Sequence, residues 1–201
     1  MNIKERIEEA ALLLFAEQGY KAVRMEDLAE YLGISKKTLY NHFDSKGNLL
    51  KEALRRRVGE MFLLLENLAE DKTIEFIPRL KSILETAGGA LKFTEVFARD
   101  TSIPRDLVGS VFPRLRDHIL TLVKNLVDEG ISKGFIRTDI PTEILPYIHL
   151  GIIETFLTME TRFGVKASIR DMLLFLETII FSGLLTEKGR QALGQGVQNE
   201  G

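Results

Sequence analysis

Cysteine and tryptophan are absent from the 201 residues, and histidine occurs only three times, at His42, His118 and His149. Without cysteine there is no disulfide, no thiolate metal site and no cysteine nucleophile, and the redox compartment is left open. Three scattered histidines cannot build the usual zinc constellations, and no His-Glu-x-x-His occurs. Neither a Gly-x-Ser-x-Gly elbow nor a phosphate-binding Gly-Lys-Ser/Thr loop is present, and Gly194…Gly196 follows no strand pattern. These absences point away from an enzyme and away from any metal or cofactor. Long apolar runs are missing too. The most apolar stretch, Met172 to Leu185, is interrupted by Glu177 and falls short of the roughly 20 residues a spanning helix needs. The first residues mix acids and bases without signal-peptide grammar, so no membrane association and a cytoplasmic location are expected.

What is present is helical periodicity. Hydrophobic residues make up 45% of the chain and charged residues 28%, enough for a sizeable core. Over 3–18, Ile3, Ile7, Ala10, Ala11, Leu14 and Phe15 form one stripe, with Lys4, Glu5, Glu8 and Glu9 opposite on a solvated face. Gly19-Tyr20 ends that helix. A second helix is expected over about 25–32, a third from Ser35 as N-cap to about Phe43, and a long fourth from about 45 to 68.

All five prolines lie at or beyond Pro78, and nine of the 12 phenylalanines at or beyond Phe76. Further helices are expected near 73–87, 104–111, 113–133, 141–163 and 168–186, punctuated by Gly88-Gly89, Gly130…Gly134 and Gly164. No strand alternation of useful length appears. The chain reads as all-α. An N-terminal three-helix unit (1–50) is joined by a long helix to a larger helical body (51–186), followed by a polar, frayed tail (187–201).

The segment from Arg24 to Phe43, RMEDLAEYLGISKKTLYNHF, carries the chemistry. Two short helices around a Gly-centred turn have the grammar of a helix-turn-helix. Ala29 is small where the helices approach, Gly33 sits where the turn needs a positive φ, and Leu28, Leu32, Ile34 and Leu39 form an apolar wedge closed by Phe43 and Leu50. The outward face of the second helix is Ser35, Lys36, Lys37, Thr38, Tyr40, Asn41 and His42, donors suited to phosphates and base edges. The plain alternative is a helical hairpin with a polar solvent face.

Charge distribution separates the two readings. The net charge is −2, but residues 33–57 hold Lys36, Lys37, Lys46, Lys51, Arg55, Arg56 and Arg57 against Asp44 and Glu52, a local +5. Residues 1–32 sum to −3 and 58–201 to −4. The basic excess coincides with the motif, which favours nucleic acid at one face.

The segment Ile7–Leu50 resembles the DNA-binding domain of the TetR family of bacterial transcriptional regulators. The matching pieces are Ile7…Ala11…Leu14-Phe15…Gly19-Tyr20, Leu28-Ala29…Gly33-Ile34-Ser35, and Leu39-Tyr40-Asn41-His42-Phe43…Lys46…Leu49. Glu129-Gly130-Ile131…Gly134…Asp139 is a pattern similar to one between the family's later helices. Arg24 departs from the Ser or Thr that often caps the family's second helix, and could instead reach a phosphate. The resemblance implies a sequence-specific DNA-binding regulator, usually a repressor, on a near-palindromic operator. It also implies that Thr38, Tyr40, His42 and Lys46 position the protein on the DNA backbone, with Ser35, Lys36, Lys37 and Asn41 nearer the bases. Alternatives stay open at two positions: Tyr40 packing its ring on the first helix, and His42 capping a carbonyl.

By the same resemblance the body dimerises and binds a small, partly apolar effector. The sequence supports dimerisation independently. Met172, Leu173, Leu176, Ile180, Gly183 and Leu184 form a stripe on a terminal helix that is apolar nearly all round. Ile148, Ile152 and Phe156 form a second stripe, and the two helices with their symmetry mates would make a four-helix interface. The alternative is a core helix of a monomer. For an effector pocket, Phe76, Phe93, Phe97, Phe112, His118 and His149 are wall candidates, each with ordinary core packing as its alternative. An effector-free architectural DNA-binding protein on the same fold is the competing function.

Overall fold

The computed structural model describes residues 1–104, 107, 112–165, 168, 171 and 182–198. Eight labelled helices carry the chain: α1 (Ile3–Gln18), α2 (Met25–Leu32), α3 (Lys36–His42), α4 (Lys46–Glu70), α5 (Phe76–Arg99), α6 (Phe112–Ser132), α7 (Leu145–Phe163) and α8 (Glu187–Gln198). Among the described residues the sole β-type pairing is an isolated antiparallel bridge between Ile136 and Leu185. No described helix is long and apolar enough to cross a membrane. The architecture is all-α, as the periodicity predicts.

Two compact units are present. The first comprises 1–60 and 96–115, the second 61–95 and 116–201. Helices α4 and α5 each supply residues to both.

The first unit is built from α1 upward. Asn2 caps α1 reciprocally: its side chain accepts the Glu5 N–H at 2.9 Å while the Glu5 carboxylate accepts the Asn2 N–H at 2.9 Å. Ile7, Ala11 and Phe15 of α1 are buried with Leu28 of α2, Leu39 of α3, Phe43, and Leu49, Leu50 and Ala53 of α4. Each such leucine or phenylalanine contributes about 2 kcal/mol by leaving water. Leu32 and Ile34 are only half-buried, flanking the wedge rather than forming its centre.

One residue of α1 departs from expectation. Glu8, placed by sequence on the solvated face, is 2% exposed and ion-paired with Arg56 of α4. It follows Ile7 directly, so α4 covers it at the edge of the apolar stripe. The basic run Arg55–Arg57 is therefore partly spent within the protein: Arg56 also pairs with Glu60, Arg55 with Glu52 and Arg57 with Glu60.

In the second unit, Phe76, Ile77 and Leu80 pack with Leu84, Leu126, Phe135, Ala192 and Leu193, and the Phe76 and Phe135 rings stack 5.7 Å apart. A neighbouring cluster joins Val127, Ile136 and Leu145 to Val123, Ile131 and Leu184. The Glu129…Asp139 pattern now has physical content. Gly134 (φ 73°) ends α6 by returning the Gly134 and Phe135 N–H groups to the carbonyls of Ile131 and Gly130. A Cβ on Gly130 would lie 2.5 Å from Ile136 Cδ1, so a larger residue there would force the Ile136 side chain to shift. Glu129 binds the buried Arg79, whose Nη1 donates to the Asp71 carbonyl at 3.0 Å, and also Lys72 at 2.7 Å.

Several boundaries differ from expectation. Gly88-Gly89 does not punctuate; both lie inside α5, which runs on to Arg99 despite a helix cost of roughly 1 kcal/mol per glycine. The helix expected from 141 begins as a single 3-10 turn, Thr142–Ile144, before α7. The tail expected to fray from Glu187 is helical through Gln198. Its entry is tied by Arg190 Nη1 to the Leu185 carbonyl at 2.8 Å and by Lys188 to the Lys133 carbonyl at 2.7 Å, and Ala192 and Leu193 join the core. Most of the helices expected at 104–111 and 168–186 lies outside the described residues.

Burial raises the Glu129 carboxyl, but the hydrogen bonds and charges of Lys72 and Arg79 outweigh it and hold its pKa below the ordinary 4.5. Removing this charge leaves Arg79 buried and unpaired, so Glu129→Gln should lower the unfolding free energy by roughly 3 kcal/mol at pH 7. The wild-type advantage is present above pH 4.5 and disappears as pH falls through the depressed folded-state value. Denaturant titrations at pH 7 and pH 3.5 check both; a variant as stable as wild type at pH 7 refutes the assignment.

Candidate nucleic-acid interface

Helix α3 is two turns long and cannot stand alone in water. Its position is fixed from both ends. At its start, Gly33 adopts a left-handed conformation (φ 64°, ψ 32°), and the Gly33 and Ile34 N–H groups return to the Glu30 and Ala29 carbonyls at 3.0 Å each. Ser35 then caps α3, its Oγ accepting the Thr38 N–H at 3.0 Å and sharing a hydrogen bond with Thr38 Oγ1 at 2.8 Å. At its end the Phe43 ring is buried, and beneath it Leu39 is wholly enclosed.

The face left outward holds Ser35, Lys36, Lys37, Tyr40, Asn41 and His42, all exposed, with Thr38 half-buried. The structure thus brings together seven of the nine sequence-expected DNA contacts on one short helix and its cap. Tyr40 is 44% exposed rather than buried. His42 caps no carbonyl; its ring lies tilted beside Phe43, 6.5 Å between centroids. Lys4 of α1 joins this side of the unit, its ammonium 5.7 Å from the Phe43 ring centre.

The other two expected contacts differ. Arg24 precedes α2, exposed, with its guanidinium 3.2 Å from the Asp27 carboxylate. It supplies no side-chain cap. Instead Asp27 reaches back to accept the Arg24 N–H at 2.8 Å, which recovers part of the missing cap and, first among several causes, lowers the Asp27 pKa.

Lys46 is directed into the unit. Its ammonium donates to the carbonyls of Tyr20 (2.8 Å) and Val23 (2.9 Å) and lies 4.4 Å from the Tyr20 ring centre. Burial lowers its pKa, against the opposing pull of Asp100 and Asp27. Lys46 therefore closes the α1–α2 loop onto the first turn of α4, and its expected place among the outward phosphate contacts is not where the structure puts it.

Two acidic residues were not legible as parts of this site. Glu26, an ordinary helix-start acid in sequence, places its carboxylate 3.4 Å from the Lys36 ammonium. Asp100, 80 positions from Tyr20, accepts the Tyr20 N–H at 2.8 Å and also receives the N–H and hydroxyl of Ser102. The Asp-Thr-Ser spelling signals a turn, but nothing local signals its distant partner. Lys37, by contrast, has no ion-pair partner among the described residues.

Of the effector-pocket candidates, Phe76 belongs to the stacked core of the second unit, and Phe97 is buried in the first. His118 is exposed, 3.0 Å from Glu66 and beside Phe62. Phe93 is half-buried, and the Phe112 side chain lies outside the described ones. His149 is half-buried, and burial lowers its pKa.

A two-turn helix held by a left-handed glycine, with exposed hydroxyl, ammonium and amide groups above an apolar base, defines a helix-turn-helix DNA-binding protein. Residues 7–53 match the family model described as bacterial regulatory proteins, tetR family. The chain is 30% identical over 148 residues to the HTH-type transcriptional regulator YerO of Bacillus subtilis, a match covering 71% of this chain but 43% of that one. It is 22% identical to the transcriptional repressor DhaR of a Mycobacterium species, over 91% of this chain and 92% of the relative. Among solved structures, a transcriptional regulator from Saccharomonospora viridis in complex with choline aligns at TM-score 0.60 and 26% identity, covering 92% of this chain and 98% of that one. Residues 7–53 thus carry the DNA-binding domain of the TetR family of bacterial transcriptional regulators.

If Lys46 acts as a structural tie, Lys46→Met should destabilise the protein by about 1–2 kcal/mol, the cost of two carbonyls losing a charged donor. Thermal unfolding followed by circular dichroism measures this, and an unchanged midpoint would return Lys46 to the outward set.

Proposed function

We propose that this protein is a cytoplasmic, homodimeric repressor that binds a near-palindromic operator and leaves it when a small, partly apolar effector occupies the helical body. The observation that carries the reading is the exposed outer face of α3, presented on a cap and core that fix its direction. In a dimer, two such helices would enter successive major grooves about 34–36 Å apart. Lys37 and Tyr40 are the principal contacts, with Ser35, Lys36, Thr38, Asn41, His42 and Arg24 completing the footprint. No chemical step is assigned, in keeping with a family of DNA-binding regulators.

Dimerisation is supported by the 3-10 turn and α7, where Ile144, Tyr147 and Ile148 are exposed apolar side chains at helical spacing and Ile152 continues the stripe half-buried. The side chain of Phe156 and the whole of Met172, Leu173, Leu176 and Ile180 lie outside the described residues. Gly183 is exposed, whereas Leu184 packs within its own protomer against the Val127–Ile136–Leu145 cluster, so its part in an interface is secondary.

The choline-bound neighbour supports a small organic effector. Effector binding would shift α4 and alter half-site spacing, a population shift between two arrangements.

Lys37→Ala should weaken binding to a duplex selected by the wild-type protein and reduce the salt slope, d log K/d log [salt], by about 0.9, while leaving the dimer intact. Fluorescence anisotropy across a salt series measures it, and an unchanged slope with unchanged affinity would remove Lys37 from the contact set. Ile148→Glu should yield monomers in sedimentation velocity, whereas a surviving dimer would refute the interface.

A further inference from the structure

The acidic first turn of α2 reaches beyond its own helix. Asp27 is occupied as a helix cap, accepting the Arg24 N–H at 2.8 Å. Glu26, one residue earlier, would satisfy the helix dipole equally well pointing into water. Its carboxylate also extends to the adjoining helix and lies 3.4 Å from Lys36, the first residue of α3. The N-terminal end of a recognition helix is the part that approaches base edges. A carboxylate there stands where phosphates would come, and both partners are substantially exposed.

The consequence concerns DNA of any sequence. Non-specific affinity arises almost wholly from cations that replace counterions along the phosphates. Near α3, Arg24 is held by Asp27 and Lys36 by Glu26, while Lys37 carries no such partner. A phosphate meeting this face must displace a carboxylate before it gains Lys36. At an operator the base contacts drive that exchange; on unrelated sequence only a weak electrostatic gain is available to drive it.

We propose that Glu26 is a specificity-determining residue that competes with DNA phosphate for Lys36 and thereby suppresses binding to non-operator DNA. Resting on the operator-binding reading above, this assigns Glu26 a role in discrimination and none in contacting bases. Exposed ion pairs contribute little to folding, so the carboxylate can be removed without loss of the unit.

The test uses full-length wild type, Glu26→Gln, Lys36→Met and the double variant. The probes are sheared mixed-sequence duplex DNA and a duplex enriched by wild type from a randomised pool. Glu26→Gln should bind mixed-sequence DNA about fivefold more tightly near 0.1 M salt, with a salt slope steeper by about 0.9. Its affinity for the enriched duplex should rise less, so the specificity ratio falls. In the Lys36→Met background the same change should have little effect.

Unchanged mixed-sequence affinity and slope would overturn the proposal. So would a gain that persists in full without Lys36, which would indicate general repulsion, or a selective loss on the enriched duplex, which would make Glu26 a base contact. Failure of wild type to enrich any duplex would instead overturn the operator-binding reading itself.

Discussion

The recognition helix is too short to hold its own shape, and the organisation of the N-terminal unit follows from that constraint. Two turns of helix offer few internal hydrogen bonds and a nucleation cost they cannot recover alone. The direction of α3 is therefore borrowed from Leu39 and Phe43, buried among side chains of α1, α2 and α4. The left-handed Gly33 and the Ser35 cap fix where the helix begins. Once base and start are fixed, the remaining faces are free to carry chemistry. This is why the polar side chains converge outward on one short helix.

Charge is arranged on the same principle of local compensation. The basic excess near the motif is real in composition, but much of it is neutralised in three dimensions. Arg56 meets Glu8 and Glu60, Arg55 meets Glu52, Arg24 meets Asp27 and Lys36 meets Glu26. Lys46 is turned inward onto backbone carbonyls. The surface around α3 is consequently less cationic than its sequence.

The second unit uses a different anchor. Arg79 is 1% exposed, and Glu129, Lys72 and the Asp71 carbonyl form an ionic tie between the start of α5 and the end of α6. Immediately after it, Gly130 admits Ile136 so closely that a Cβ there would force the Ile136 side chain to shift, and Gly134 turns the chain back. The short pairing of Ile136 with Leu185 then brings α8 against Phe76 and Phe135.

The sequence by itself determined the elements with local causes. The spans of α1 and α2, the glycine turn, the Ser35 cap and the outward set from Ser35 to His42 were legible because periodicity, capping and turn chemistry act over three to five residues. So was the family of this DNA-binding domain, since those signals recur at fixed spacing. The burial of Glu8, the inward turn of Lys46, the reach of Glu26 to Lys36 and the capture of Tyr20 by Asp100 were decided only by tertiary structure. So was the continuation of α5 through Gly88-Gly89 and of helix into the polar tail. In each case the deciding partner lies on another element, up to 80 positions away, and a charged side chain's place in sequence does not specify which opposite charge the fold will bring to it.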